Sequence, residues 1–311
     1  MSADETVVGV DDSRVAAAAL LGEARQSSEK SLEAGLDALA TETEDRAPWW
    51  RRALRSALPP VVVLVGLFVA WDLWTLVFRP SSTIFPGPAD VGATFRDHWS
   101  DGTITEAFRG SLGRAALGFA LSLVVGTVLG VLVAQVRFIR AGFGPLLSGL
   151  QVLPSVAWVP PALIWFGASQ KAMLAVVLLG AVPSIANGLV AGVDQVPPLY
   201  LRVGRVLGAR GLKQVWHVVL PAALPGYLAG LKQGWAFSWR SLMAAELIVR
   251  SSDIPLGLGQ FEESARDLND LPWVFLGIFL ILVVGIVVEL ACFAPLERTV
   301  LRRRGLLLGK A

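Results

Sequence analysis

Long runs of apolar residues dominate the pattern of hydrophobic and polar positions along this chain. Six of these runs contain the roughly 20 residues that a helix needs to cross a bilayer core of about 30 Å. The segments between them are short and rich in Arg, Pro or Gly. The pattern therefore predicts an all-α polytopic membrane protein with six transmembrane helices. The expected spans are about 59–78, 111–134, 143–166, 172–193, 219–249 and 271–295.

Basic residues predict the orientation of these spans. They cluster before the first span, between the second and third, between the fourth and fifth, and after the sixth. Loops with an excess of Lys and Arg lie in the cytoplasm. Because an even number of spans puts all four clusters on one side, we expect both the N-terminus and the C-terminus to be cytoplasmic.

Composition supports the membrane class and divides the chain into two parts. Apolar residues make up 54% of the chain and charged residues only 17%. Residues 1–45 are acidic, with eleven Asp or Glu residues and three bases, and they do not have the pattern of a secretory signal. We expect 1–45 to be a cytoplasmic tail that is partly helical or disordered, followed by a transmembrane domain at 46–311.

The longest predicted cytoplasmic segment between spans is 194–218. Pro197 and Pro198 stop the preceding helix, because proline lacks a backbone donor. Two short helices that meet near Gly208–Gly211 are then expected to form a compact basic knob, since glycine permits a positive φ. Its second helix would carry Leu212, Val215, Trp216 and Val219 on one side. By composition alone, an anchor on anionic lipid headgroups is an equal alternative.

Three ordered motifs resemble the permeases of ABC importers for sulfonates, taurine, nitrate and related small solutes. Gly208 precedes Pro221 by thirteen residues, which is similar to the cytoplasmic E-A-A loop of these permeases, and "VVLPAALP" (Val218–Pro225) supplies the ending of that loop. The other two motifs are "LPSVAWVPPALIWFG" (Leu153–Gly167) and "WAFSWRSLMAAELI" (Trp235–Ile248). The resemblance covers the chain from about residue 59 to its end.

This resemblance implies the fold of a type I ABC importer permease and assigns the 194–218 loop to contact with a separate ATPase. Arg202 and Gly204 depart from the motif, because they stand at a glutamate and an alanine position. The departure leaves open which contact replaces a salt bridge from that glutamate. The expected ATPase-coupling residues are Leu199, Arg202, Gly204, Arg205, Gly208, Gly211, Leu212, Lys213, Trp216 and Pro221.

The resemblance also implies the partners of the chain. They are a second permease copy in a homodimer, two ABC ATPase subunits and an extracytoplasmic solute-binding protein, in the bilayer of a bacterial cell membrane. The sequence has no Walker A phosphate loop and only two histidines, His98 and His217. We therefore expect no catalytic residue, metal or cofactor in this chain, with ATP and magnesium on the partner ATPase, and no nucleic acid partner.

Ionisable residues within apolar spans are candidates for a solute path, because a charge at the bilayer centre is costly. Arg240 has no acid within reach on its own helix, and its guanidinium suits a sulfonate or carboxylate. An inter-helix salt bridge or snorkelling is the alternative. Glu246 and Arg250, four residues apart, are expected to pair. The candidate path residues are Lys232, Trp235, Trp239 and Arg240, where the two tryptophans would line the path or simply pack.

The leading hypothesis is the membrane permease subunit of an ATP-driven importer for a small, anionic solute such as an aliphatic sulfonate. A self-contained, ion-coupled secondary transporter or channel is the alternative, with Asp72, Glu246 and Glu289 as its candidate coupling acids. A membrane scaffold or sensor that recruits partners through its acidic tail is a third hypothesis.

Overall fold

The computed structural model describes residues 49–304, so the predicted tail at 1–45 lies outside the described residues. All regular structure in the described part is helical. The helices are α1 (Trp49–Phe78), α2 (Pro88–Ser100), α3 (Thr103–Gln135), α4 (Arg137–Val152), α5 (Val159–Phe166), α6 (Gln170–Asp194), α7 (Pro198–Val206), α8 (Leu212–Gln214), α9 (Leu220–Ile248), α10 (Leu258–Asp267), α11 (Leu271–Val288) and α12 (Ala294–Arg303). The chain divides into two units, Met1–Leu67 and Phe68–Ala311, and the helices from α2 onward all belong to the second unit.

Four helical segments in the described part are long and apolar enough to cross a membrane: Val61–Phe78, Thr103–Gln135, Gln170–Asp194 and Leu271–Arg303. A fifth is possible if α4 and the helical segment that follows it count as one span. The predicted fifth span, α9, has 29 residues, but its Lys, Gln, Pro and Gly residues lower its hydropathy. The helical class is thus confirmed, and the number of six spans stays a prediction.

The predicted third span is not one continuous helix. α4 ends at Val152, a 3₁₀ turn follows at Ser155–Trp158, and the two helical segments meet at an angle of 105°. Leu153 is extended, with ψ 128°, because the ring of Pro154 disfavours helical geometry in the residue before it. The predicted span at 143–166 is therefore a bent pair of helical segments and not one straight helix.

The centre of the structure is a close contact between the backbones of α6 and α9. Gly188 and Gly230 face each other so closely that a Cβ added to Gly188 would lie 2.2 Å from Cα of Gly230. One turn away, a Cβ on Gly226 would lie 2.6 Å from Cα of Gly192. Residues four apart share a helix face, so glycines at this spacing let the two helices approach along one stripe, as small residues do in membrane helix pairs.

α6 is also packed against α3 by the same means. Gly118 and Gly126 of α3 lie against Val177 and Ile185 of α6, where an added Cβ would come within 2.7 and 2.8 Å of their side chains. Ser122 lies between the two glycines and is buried, with its hydroxyl donating to the carbonyl of Gly118 at 2.8 Å. α3, α6 and α9 therefore form the tightly packed framework that positions the loops and grooves of the second unit.

The contact between α6 and α9 should be sensitive to a single methyl group. We expect Gly230→Ala to lower the free energy of unfolding by about 1–3 kcal/mol, because overpacking displaces backbone here rather than a flexible side chain. The change is measured by thermal unfolding of the detergent-solubilised protein, monitored by size-exclusion chromatography. Gly149→Ala on α4 is the matched control, since nothing lies within 4 Å of its added Cβ. Equal melting temperatures for the two variants would contradict the close contact.

Candidate functional site

The loop between α6 and α9 has the predicted helix–glycine–helix arrangement. Pro198 starts α7, and the chain then turns through Gly208 (φ +84°) and Gly211 (φ +56°), which lie in the left-handed region that favours glycine. The side-chain amide of Gln214 donates to the carbonyl of Leu201 at 2.8 Å and so ties the second helix to α7. The loop is therefore a defined, compact structure.

The second short helix differs from the prediction, because it is not separate from the following span. α8 runs directly through a π-helical turn, Val215–Val219, into α9. Of the side chains predicted on one face, Val219 is buried, Val215 is half-buried and Trp216 is exposed, while the side chain of Leu212 lies outside the described residues. A displacement of this loop would act on α9 without an intervening flexible segment.

The outer surface of this loop combines apolar and basic side chains. Leu199 and Trp216 are 62% and 67% exposed. Arg202, Arg205 and Lys213 are exposed as well. Three of the remaining predicted residues, Gly208, Gly211 and Pro221, also lie at the surface. The structure thus brings the predicted coupling residues together on one compact segment.

The structure explains why glycine, and not the alanine of the motif, stands at position 204. It is buried in α7, and an added Cβ would come within 2.9 Å of the side chain of Val218. A glycine at this position lets α7 approach the π-helical turn. Arg202, by contrast, makes no ion pair within residues 49–304, so nothing in the described part replaces the salt bridge of the missing glutamate.

All four candidate path residues line one groove along α9. The groove has a volume of about 620 Å³ and is closed on its other side by α11, the turn after it, and α12. Trp235 and Trp239 stack with their ring centroids 6.2 Å apart. The indole of Trp239 donates to the carbonyl of Ile281 at 3.3 Å, which fixes that ring against α11. The two tryptophans therefore both pack and line the groove.

The two cations of the groove have different surroundings. Lys232 Nζ lies 2.5 Å from Glu289 Oε1 and 3.8 Å from Glu297 Oε2. Arg240 is exposed and forms no salt bridge within the described residues; its Nε donates to the carbonyl of Ala236 at 3.1 Å and its guanidinium lies 4.6 Å from the ring centre of Phe237. Arg240 is thus the cation of the groove whose charge no neighbouring acid balances.

Sequence reasoning missed a buried ion pair between α3 and α9. Arg114 and Glu246 are 3% and 0% exposed, and Arg114 Nε donates to Glu246 Oε1 at 2.9 Å. Glu246 also accepts hydrogen bonds from the hydroxyl of Ser111 at 2.7 Å and the amide of Gly259 at 3.0 Å. The sequence did contain a sign of this pair, because Arg114 is an ionisable residue within the apolar run predicted as the second span.

The predicted pair of Glu246 and Arg250 was consequently wrong. Arg250 lies beyond the end of α9 and contacts Glu263 and Asp267 of α10 instead. Its hydrogen bond to Asp267 is the main cause that lowers the pKa of that carboxyl group. The chain leaves its helical path at Val249, which has ψ 110°, so helical i,i+4 spacing no longer applies to residue 250.

A framework of apolar helices packed on glycine stripes, with a compact loop on one side and a charged groove, defines a multi-pass helical membrane transport protein. The family model of the binding-protein-dependent transport system inner membrane component matches residues 126–296. The chain belongs to this family and is an ABC importer permease of the sulfonate, taurine and nitrate type.

Curated relatives cover a larger share of the chain than the family model does. The bicarbonate transport system permease protein CmpB of Synechococcus elongatus is 31% identical over 81% of this chain and 92% of its own length. The taurine transport system permease protein TauC of Escherichia coli is 30% identical, again over 81% and 92%. The putative aliphatic sulfonates transport permease protein SsuC of Bacillus subtilis is 29% identical over 82% and 88%.

A solved structure supports the fold. The inward-facing MetNI methionine ABC transporter has a chain that superposes with a TM-score of 0.54 at 18% identity, over 63% of this chain and 95% of the other. The residues matched by the family model include the loop between α6 and α9 and all of the groove lining except Glu297 and Leu301. The loop and most of the groove therefore lie in the part of the chain that the family model covers.

The buried ion pair should contribute strongly to stability. We expect Arg114→Ala and Glu246→Ala each to lower the free energy of unfolding by about 3–5 kcal/mol, because each leaves a buried charge without its partner. The double substitution should cost clearly less than the sum of the two single ones. Chemical or thermal unfolding in detergent measures all three variants.

An exposed ion pair offers the control. Arg140 and Asp194 form a salt bridge in which both side chains are 44% exposed, so Asp194→Asn should cost no more than about 1 kcal/mol. Strict additivity of Arg114→Ala and Glu246→Ala, or an effect as small as that of Asp194→Asn, would show that the buried pair does not hold α3 to α9.

Proposed function

We propose that this chain is the membrane permease subunit of an ATP-driven importer for a small anionic solute such as an aliphatic sulfonate. It works as a homodimer with two ATPase subunits, which hold ATP and magnesium, and with an extracytoplasmic solute-binding protein. In this proposal the chain spans a bacterial cell membrane six times, with both termini in the cytoplasm, and carries no catalytic residue. Residues 1–45 form a cytoplasmic tail before the transmembrane domain.

The proposal that the solute is an anion rests on one observation, the unbalanced charge of Arg240 in the groove. Guanidinium groups donate two parallel hydrogen bonds to planar or tetrahedral oxyanions such as carboxylates and sulfonates. The nearby, half-buried Trp235 offers apolar area for the carbon part of such a solute, and the buried Trp239 supports it from behind. Relatives that are named for sulfonates and taurine support this class of solute.

Coupling to an ATPase rests on the loop between α6 and α9. Its exposed apolar side chains, above all Leu199 and Trp216, are available to a partner protein, and the exposed bases around them favour an acidic surface. When the two ATPase subunits close on ATP, they draw the two loops together. Each loop then moves α9, to which it is joined by a continuous helix, and the groove changes its access from one side of the membrane to the other.

The alternative of an ion-coupled secondary transporter needs acids that are able to bind and release a proton or cation. Glu246 is held by Arg114, and Glu289 is paired with Lys232. Asp72 is exposed on α1. No specific contact of these three acids therefore favours ion coupling, and membership of the importer permease family argues against it.

Removal of the Arg240 charge should weaken transport without weakening assembly. In proteoliposomes that contain the complete importer, we expect Arg240→Ala to raise the KM for radiolabelled ethanesulfonate by about tenfold or more, because charge-assisted hydrogen bonds are lost. Arg240→Lys should have an intermediate effect, since it keeps the charge and loses the planar fork. Lys171→Ala, at an exposed position outside the groove, is the control. Unchanged uptake by Arg240→Ala would refute a role in solute binding.

A pair of substitutions at Gly208 tests the coupling loop. Gly208→Val should reduce both recovery of the ATPase with the purified permease and uptake, because a β-branched residue disfavours φ +84°. Gly208→Asn is the matched variant, since asparagine tolerates this region, and it should retain most of both activities. Co-purification in detergent and uptake in proteoliposomes measure the two effects. Full activity of Gly208→Val would mean that the shape of the loop is not required.

A further inference from the structure

The groove along α9 is electrostatically asymmetric. Lys232 and Arg240 lie eight residues apart, which is about 12 Å along the helix. At the Arg240 end the cation has no acidic partner in the described residues, whereas at the other end one lysine faces two glutamates, Glu289 and Glu297. The formal charge is therefore +1 at one end of the groove and −1 at the other.

The geometry of the helical segment after α11 brings both Glu289 and Glu297 to Lys232. Residues eight apart on a regular α-helix are offset by about 80° around its axis. Here a π-helical turn, Glu289–Phe293, adds one residue to the turn, which reduces the offset of Glu289 and Glu297 to about 20°. Without this turn the two carboxylates would point about 80° apart around the helix axis. π-helical turns within α-helices occur frequently at functional sites.

We propose that Glu289 is a positioning residue that prevents Lys232 from binding the transported anion. The carboxylate of Glu289 pairs with the ammonium group of Lys232 and so takes the place of the solute there. Arg240 then remains the cation of the groove that is available to an anion. This inference rests on the proposed function, because it assumes that the groove is the path of an anionic solute.

The consequence concerns release of the solute. α9 starts at the loop that the proposed function places in the cytoplasm, so the Lys232 end is the end through which an imported anion leaves. Two accessible cations in succession would hold an anion at both ends of the groove and slow its exit. A neutralised Lys232 next to the second acid, Glu297, repels the anion instead and favours its departure.

Acylation of Lys232 tests the competition directly and does not require transport. The purified importer in detergent is treated with a neutral acylating reagent, with and without ethanesulfonate, and modification of Lys232 is quantified by mass spectrometry. In the unaltered chain we expect slow acylation that ethanesulfonate does not change, because Glu289 already pairs with the amine. In Glu289→Gln, acylation should become about fivefold faster, and ethanesulfonate should slow it again.

Two variants separate this role from general damage to the structure. Glu297→Gln, at a distance of 3.8 Å, should leave acylation slow and insensitive to ethanesulfonate. Glu289→Asp should behave like the unaltered chain, since it keeps the carboxylate. If ethanesulfonate does not protect Lys232 in Glu289→Gln, or protects it equally in the unaltered chain, the proposal is overturned.

Uptake kinetics provide the second measurement. In proteoliposomes, Glu289→Gln should lower the KM for ethanesulfonate by about fivefold and lower the maximal rate, whereas a structural defect would lower the rate without tighter binding. Adding Lys232→Ala to this variant should abolish the decrease in KM, and a persisting decrease would overturn the proposal. Lack of ethanesulfonate uptake by the unaltered importer, together with lack of protection in every variant, would count against the proposed solute class. The rate of Lys232 acylation without any solute tests the pairing with Glu289 separately, and an equal rate in Glu289→Gln and the unaltered chain would overturn the proposal.

Discussion

The contact between the backbones of α6 and α9 at Gly188 and Gly230 is the constraint on which the rest of the structure depends. Where two helices touch through Cα atoms, dispersion contacts and close packing replace the hydrophobic effect, which gives little drive for helix association inside a bilayer. Such a contact has no flexible side chain that could absorb a displacement. α6 and α9 are therefore expected to move as one body, and the loop between them joins the two ends of that body.

This rigidity explains how a binding event in the loop would reach the groove. Lys232 and Arg240 lie on the same helix as the glycine stripe, so their positions follow those of α6 and α9. At the far end of α9 the buried pair of Arg114 and Glu246 holds this helix to α3 and, through the amide of Gly259, to α10. The body formed by α6 and α9 is therefore held to α3 and α10 by buried polar contacts at one end and carries the surface-exposed loop at the other.

The sequence was sufficient for features that depend on local composition and insufficient for those that depend on tertiary contacts. The left-handed glycines at 208 and 211 and the common groove of Lys232, Trp235, Trp239 and Arg240 follow from spacing along one chain segment. The break of the predicted third span depends on Leu153 and Pro154, and apolar length alone does not reveal it. The partner of Glu246 lies 132 residues away on another helix, so local i,i+4 spacing selected the wrong arginine.

The glycine stripe of α9 also has an evolutionary consequence. Gly226, Gly230 and Gly234 carry the packing of this helix, while the residues of the groove lie between and beside them. If the groove is the solute path, as proposed, substitution on the groove face changes the chemistry that a solute meets without disturbing the contact with α6. This division of one helix into a close-packed face and a groove face would allow a single scaffold to serve solutes as different as bicarbonate and taurine, for which two of its relatives are named.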